Sequence, residues 1–210
     1  MKETQVVPEV AVNIDTVVAE GVIWDSNRQV LYWVDILGCK LMVFDPRKGE
    51  NREIDVGQAI GTVVPRSSGG VMVALHNGYS ALDLDTEKLT PISDPERDIP
   101  TNRFNDGKCD PGGRFWAGTM EFTGKDDQGS LYCLEVDHTV SRKVSSVSIS
   151  NGIAWSLDCQ TLYFIDTARD NVRAWDYDVD SGNITNERVV IENAGQGHMD
   201  GMTIDEEGML

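Results

Sequence analysis

The sequence predicts an all-β protein of the β-propeller class, and three observations predict it. A phrase recurs in which an apolar strand runs into a polar turn, then Gly or Asn/Gln, then a second apolar strand; it occupies 20–32, 61–72, 105–116, 151–163 and 200–210. Its anchors Leu31, Met72, Phe115, Leu162 and Met209 lie 41, 43, 47 and 47 residues apart. A period of about 40–50 residues built from short strands is the mark of a propeller. The third observation is that no convincing amphipathic helix interrupts the strand-and-turn pattern.

The elements follow in order. Residues 31–35 and 41–45 read as successive strands of one blade, joined through Gly38, Cys39 and Lys40. Residues 71–75 and 79–83 repeat the arrangement around His76, Asn77 and Gly78, where Asn-Gly is a strong hairpin signal. Residues 115–119 and 130–134 repeat it again, with a longer insertion over 121–128. Residues 162–166 and 172–176 complete a fourth copy. Second strands end in Asp-x-x-x-Gly turns such as 45–49 and 178–182. Residues 1–210 therefore read as one domain without a linker: four blades and the opening of a fifth. A propeller closes its ring so that terminal strands pair. The repeat interrupted at Leu210, and a strand near 6–12 without a natural partner, predict a C-terminally truncated, incomplete propeller.

Charge and composition exclude several classes. The formal net charge is −17, from 35 acidic and 18 basic side chains, so neither nucleic acid nor an anionic membrane is an expected partner. The acids are scattered through turns, as on a solvated surface. No apolar run approaches the ~18–20 residues of a membrane span. The first ten residues lack the apolar core of a signal peptide. Cys39, Cys109, Cys133 and Cys159 are widely spaced, with no C-x-x-C pair, and read as reduced thiols. A cytoplasmic location follows.

Four repeat heads carry oxygen-bearing side chains: Glu20, Asn105, Asn151 and Asp200, each nine to eleven residues before its anchor. Repetition puts equivalent positions at equivalent points around one axis, so these side chains should converge. The second head is Gly61-Thr62 and supplies space or a hydroxyl at most. Asn105-Asp-Gly and Asn151-Gly are also good turn dipeptides, and Asp106 is expected on the opposite strand face with a structural hydrogen bond.

The motifs at these heads are long and ordered. The run 104–108, then 110–120 (Asp-Pro-x-Gly-Arg-Phe-Trp-Ala-Gly-Thr-Met), 150–156 (Ser-Asn-Gly-Ile-Ala-Trp-Ser) and 200–202 closely resemble the SMP-30/gluconolactonase/regucalcin family. The resemblance spans essentially the whole chain and about two-thirds of a typical member. It implies a six-bladed propeller holding one divalent metal ion in a central channel, and hydrolysis of a sugar lactone. It also implies metal ligands at Glu20, Asn151 and Asp200 and substrate contacts at Arg103 and Asn105.

Elementary chemistry agrees. Two carboxylates with carboxamide oxygens form a hard set suited first to Ca²⁺, then Mg²⁺ or Mn²⁺, with Zn²⁺ less natural. Three protein ligands leave positions open, as a catalytic ion needs. Asp200 suits proton acceptance from attacking water. Arg103 offers a fork of donors to sugar hydroxyls or the product carboxylate. Two other readings stand beside the lactonase: a calcium-binding regulatory protein without turnover, and an inactive fragment. His198 reads as a loop residue or a proton relay. Glu121 lies near where some relatives bind substrate. The five tryptophans are expected to pack between blades.

Overall fold

The computed structural model describes residues 9–195 and 197–210. Among them, sixteen strands form four antiparallel sheets, each built from four consecutive strands. The first holds β1 (Ala19–Asp25), β2 (Val30–Asp35), β3 (Lys40–Asp45) and β4 (Glu50–Asp55). The second holds β5 (Ile60–Pro65), β6 (Val71–Leu75), β7 (Gly78–Leu82) and β8 (Leu89–Ser93). The third holds β9 (Asn102–Cys109), β10 (Phe115–Glu121), β11 (Gly129–Leu134) and β12 (Val140–Val147). The fourth holds β13 (Ser150–Trp155), β14 (Thr161–Asp166), β15 (Asn171–Asp178) and β16 (Asn183–Glu192). A single 3-10 turn, Thr167–Arg169, is the one helical element among the described residues. The first strands β1, β5, β9 and β13 touch one another in series, as the inner strands of propeller blades do.

Three apolar layers hold the blades together, and strand alternation assigns residues to them. On β6, Val71, Val73 and Leu75 pack toward blade one, whereas Met72 and Ala74 pack toward blade three. A strand covered on both faces needs apolar residues throughout, which is why 71–75 reads Val-Met-Val-Ala-Leu without alternation. Between blades three and four the layer is aromatic: Trp116, Trp155 and Tyr177 meet edge-on with ring centroids 5.9–6.2 Å apart. Buried beside them, Asp110 accepts from Trp116 Nε1 (2.9 Å), the Tyr177 hydroxyl (2.6 Å) and Arg114.

The outermost strand of each blade is not separable in the sequence. β4 and β16 are mostly exposed and β12 has one buried residue, so none of them needs the continuous apolar run of an inner strand and their pattern is weak. Trp116, Trp155 and Trp175 pack as expected, but Trp24 is 44% exposed on the free face of blade one. The expected strand near 6–12 falls partly on residues outside those described, and its described part is not a strand. The opening of a fifth blade is irregular: 200–210 forms no strand and keeps only its turn, with Asp205 N–H donating to the Met209 carbonyl (3.0 Å).

Candidate active site

One backbone bond recurs at the same end of every blade. The N–H groups of Ile36, His76, Phe122 and Thr167 donate to the carbonyls of Val18, Ala59, Thr101 and Ile149 at 2.9, 2.8, 3.0 and 3.1 Å. Two residues beyond each acceptor stand Glu20, Gly61, Arg103 and Asn151, which are therefore equivalent positions. In the third blade the head is Arg103, not Asn105, so the register read from the repeat is two residues out there. The cause is a longer β9–β10 hairpin: the anchor Phe115 stands seven residues before its corner Phe122, whereas Leu31 and Leu162 stand five before Ile36 and Thr167. A β-bulge also lies at this head, where the ladder steps from Phe104↔Thr119 to Gly107↔Ala117 and leaves Asn105 and Asp106 opposite one residue. Bulges sit at the other heads too, between Glu20 and Ile23, Ile60 and Thr62, and Ser150 and Ile153. The same bulge breaks strict alternation and turns Asp106 into the cleft instead of away from it.

Close approach of the inner strands depends on small residues. A Cβ on Gly61 would lie 2.3 Å from the Asn105 carbonyl oxygen, and one on Gly152 would lie 2.8 Å from that of Asp200. Gly152 N–H donates to this Asp200 oxygen at 2.9 Å, and Lys108 Nζ donates to the Met202 carbonyl at 3.0 Å. Asp200 is thereby docked beside β13 although its own segment is not a strand.

Two buried carboxylates anchor the heads of blades one and four. Asp35 accepts from Val17 N–H (3.0 Å) and Val18 N–H (2.9 Å). Asp166 accepts from Ser148 and Ile149 N–H, both at 3.0 Å.

A cleft of ≈ 490 Å³ lies along the inner strands of blades one, two and three and the 201–203 segment, lined by Glu20, Thr62, Asp106, Lys108, Met202 and Thr203 among others. Thr62 turns its hydroxyl to the Gly107 carbonyl (3.1 Å) and so contributes shape. Burial pushes the Glu20 carboxyl above its usual range, the nearby charges of Asp200 and Asp106 push it further, and Arg103 opposes them. Asp106 is likewise raised, by burial first and also by Asp200, against the Gly107 N–H and Lys108. Burial lowers Lys108, and Asp106 opposes that. Burial lowers Arg103 too, with Glu20 restoring part of its charge preference.

Arg103 is held rather than free. Its Nη1 donates to Asn105 Oδ1 (2.7 Å) and the Phe104 carbonyl (3.0 Å), and the guanidinium lies 5.9 Å from the Phe122 ring centroid. Asn105 Nδ2 donates to the Ser150 carbonyl (2.7 Å), tying blade three to blade four. Asn151 Nδ2 donates to the Thr167 hydroxyl (2.8 Å), and its Oδ1 makes no hydrogen bond among the described residues. The structure thus gathers Glu20, Arg103 and Asp200 into one electrostatic group and links Asn105 to Arg103. Asn151 joins through the bonds of β13 to Asp200.

The donor set fits a hard divalent cation. It comprises a Glu20 carboxyl whose charge is disfavoured by burial and by the neighbouring Asp200 and Asp106, plus an amide oxygen without a protein partner among the described residues. No cluster of three His, Cys, Asp or Glu side chains at metal-holding spacing occurs among the described residues.

His198 is 79% exposed on a loop, 3.9 Å from Asp170. Glu121 closes its own turn, accepting from the Thr123 hydroxyl (2.6 Å) and the Thr123 and Lys125 N–H groups. Asp106 is the residue whose place the sequence does not reveal. A carboxylate following a head by three residues on a bulged strand is a signal only once the bulge is known.

Four four-stranded blades around a carboxylate-lined axial cleft define a β-propeller protein of the kind that carries its site at the meeting of the inner strands. Residues 18–210 match the model of the SMP-30/gluconolactonase/LRE-like region, and the chain belongs to that family. It is 41% identical to regucalcin of Xenopus laevis over 199 residues, covering 92% of this chain and 67% of the relative. It is 37% identical over 195 residues to the Bacillus subtilis protein named "Putative sugar lactone lactonase YvrE", with the same coverages. The crystal structure of an Agrobacterium tumefaciens regucalcin, described as a calcium-binding protein, superposes with a TM-score of 0.90 at 28% identity, over 95% of this chain and 68% of that one. The chain thus spans about two-thirds of the length of these relatives.

Proposed function

We propose that the protein hydrolyses a sugar lactone to its hydroxy acid with the help of one divalent metal ion, Ca²⁺ first among candidates. The observation that carries this reading is the electrostatic meeting of Glu20 with Asp200, Asp106 and Arg103 beside the cleft, where burial first and then the neighbouring carboxylates raise the Glu20 carboxyl. Kinship with proteins named as sugar lactonases supports the reaction class. Glu20, Asn151 and Asp200 would hold the metal, which when bound would supply Lewis-acid polarisation of a carbonyl and relief of the carboxylate crowding.

The remaining chemistry belongs to this chain. Asp200 accepts a proton as water adds to the lactone carbonyl. The ring C–O bond then breaks, and the proton returns to the departing ring oxygen, so that water is consumed and a carboxylic acid and a hydroxyl are formed. Arg103, fixed by Asn105 and Phe104, presents its remaining donors to sugar hydroxyls and to the carboxylate of the product. Asn105 keeps one amide hydrogen and one lone pair for the same hydroxyls. The net charge of −17 suits a small neutral substrate in the cytoplasm rather than a nucleic acid or a membrane.

A calcium-binding role without turnover is the second reading, favoured by the likeness to the calcium-binding Agrobacterium regucalcin. A buried, oriented arginine beside the carboxylates has no use in ion storage, which is why turnover is preferred. The test is hydrolysis of gluconolactone, followed by proton release, with and without added Ca²⁺, Mn²⁺, Mg²⁺ or Zn²⁺. Metal-dependent turnover lost in both Glu20→Gln and Asp200→Asn supports the lactonase. Metal binding without turnover on any sugar lactone supports the second reading and sinks the first.

A further inference from the structure

We infer that Thr167 is a positioning residue that orients the Asn151 amide and fixes the Asp200 segment at the same time; the inference rests on reading Asn151 and Asp200 as metal ligands. The Thr167 hydroxyl lies 2.8 Å from the Asn151 amide and 2.8 Å from the Met199 carbonyl oxygen. A hydroxyl has one proton to give, and a carbonyl oxygen can only accept. The proton therefore goes to Met199, and toward Asn151 the hydroxyl oxygen must accept. The amide atom facing Thr167 is then the NH₂ group, and Oδ1 is the atom left to face elsewhere. Only that orientation offers a cation an oxygen rather than two N–H dipoles.

The second half of the argument concerns the neighbouring segment. Met199 is held by the Thr167 hydroxyl, and Asp200 is held through its carbonyl by Gly152 N–H at 2.9 Å. One side chain thus spans the ligand on β13 and the residue that precedes the ligand on the following segment. Its own place is secured by three bonds: Thr167 N–H donates to the Ile149 carbonyl at 3.1 Å, and the preceding Asp166 accepts from the Ser148 and Ile149 N–H groups. At the equivalent corners of the other blades stand Ile36, His76 and Phe122, none of which carries an aliphatic hydroxyl. The hydroxyl occurs at the one corner where the head is a carboxamide with two interchangeable-looking ends.

The experiment measures Ca²⁺ affinity by titration calorimetry for the wild type, Thr167→Val, Thr167→Ser and Asn151→Ala. Partners that orient a metal ligand typically contribute roughly 10–100-fold to affinity. Thr167→Val should weaken binding by that factor while the metal-free melt stays near wild type, and Thr167→Ser should restore most of it. Thr167→Ala carries the same expectation should the valine variant fold poorly. In the metal-free protein the Asn151 side-chain amide hydrogens should exchange slowly in the wild type and Thr167→Ser, and fast in Thr167→Val. Wild-type affinity in Thr167→Val alongside loss in Asn151→Ala would overturn the inference and spare the ligand assignment. So would equal weakening by Val and Ser, or slow amide exchange in Thr167→Val. Wild-type affinity in Asn151→Ala would overturn the ligand assignment, and the inference with it.

Discussion

Blade one and blade four are built on the same bracket and diverge at a single corner. Glu20 and Asn151 are 131 residues apart, and so are Asp35 and Asp166. Each aspartate reaches across to two successive N–H groups just ahead of its head residue, and the corner after it returns a backbone bond to the same strand entry. Beyond that the surroundings differ. Asp35 adds the Gly38 N–H at 3.0 Å, whereas Asp166 sits 3.3 Å from Arg169 Nε and 4.0 Å from Arg173 Nη2. At the corner, Ile36 is 2% exposed and belongs to the core between blades one and two, while Thr167 turns a hydroxyl toward the site. The scaffold of a head is therefore carboxylate-to-backbone bonding common to both, and its chemistry is set by the head and the corner residue. A carboxylate such as Glu20 has two equivalent oxygens and needs no device to choose between them.

The largest effect expected from this comparison is at Asp166. Asp166→Ala leaves two buried N–H groups unsatisfied and Arg173 Nη2 without its nearest anion, a loss of about 3–5 kcal/mol. Chemical denaturation should show it as a lower midpoint at similar m-value. Asp35→Ala, with backbone partners and no arginine, should cost less, about 1–3 kcal/mol. Equal losses would show that the arginines add nothing.

Asp35 also carries a pH signature. Burial alone would raise its carboxyl, but the Val18, Val17 and Gly38 N–H groups outweigh burial and hold it below its ordinary 3.8. Its stabilisation is present above 3.8 and is lost as pH falls through the lower folded value. Stability in Asp35→Asn should therefore fall less steeply over that acid window than in the wild type.

Glu20 behaves oppositely, since its folded value lies above the ordinary 4.5. Its contribution is present below 4.5 and is lost as pH rises through the folded value, so its charge opposes folding at neutral pH. Metal-free Glu20→Gln should melt slightly above wild type at pH 7, on the order of 1–2 °C. It should also gain nothing from Ca²⁺. The smallest effect belongs to Glu121→Ala, which should leave both melting and hydrolysis unchanged, because that carboxylate serves its own turn.

The parts of the fold legible in sequence are those buried on both faces. Residues 71–75 and 162–166 announce themselves because each side of the strand needs apolar atoms, whereas β16 faces solvent and has no such requirement. Glu20, Asn151 and Asp200 are legible because repetition marks them. Arg103 comes only through resemblance, since the longer β9–β10 hairpin shifts the third anchor by two residues and hides the equivalence of its head. Asp106 and Thr167 are illegible for a related reason. Their roles depend on which way a bulged strand turns a side chain and on a contact 32 residues away in sequence.

Asp200 reaches the site on a segment with no strand ladder of its own, fastened by Gly152 N–H, the Thr167 hydroxyl and Lys108 Nζ. Those tethers can release while sixteen laddered strands stay intact, so the site can come apart by a local opening far cheaper than global unfolding. The Lys108 tether closes a separation of 94 residues, so this docking is a long-range contact rather than a local one. Binding competence is thus an equilibrium of its own, distinct from foldedness. The Gly152 amide is its natural reporter: its deuterium uptake follows the comings and goings of the last carboxylate, while its neighbours on β13 record only the endurance of the blade.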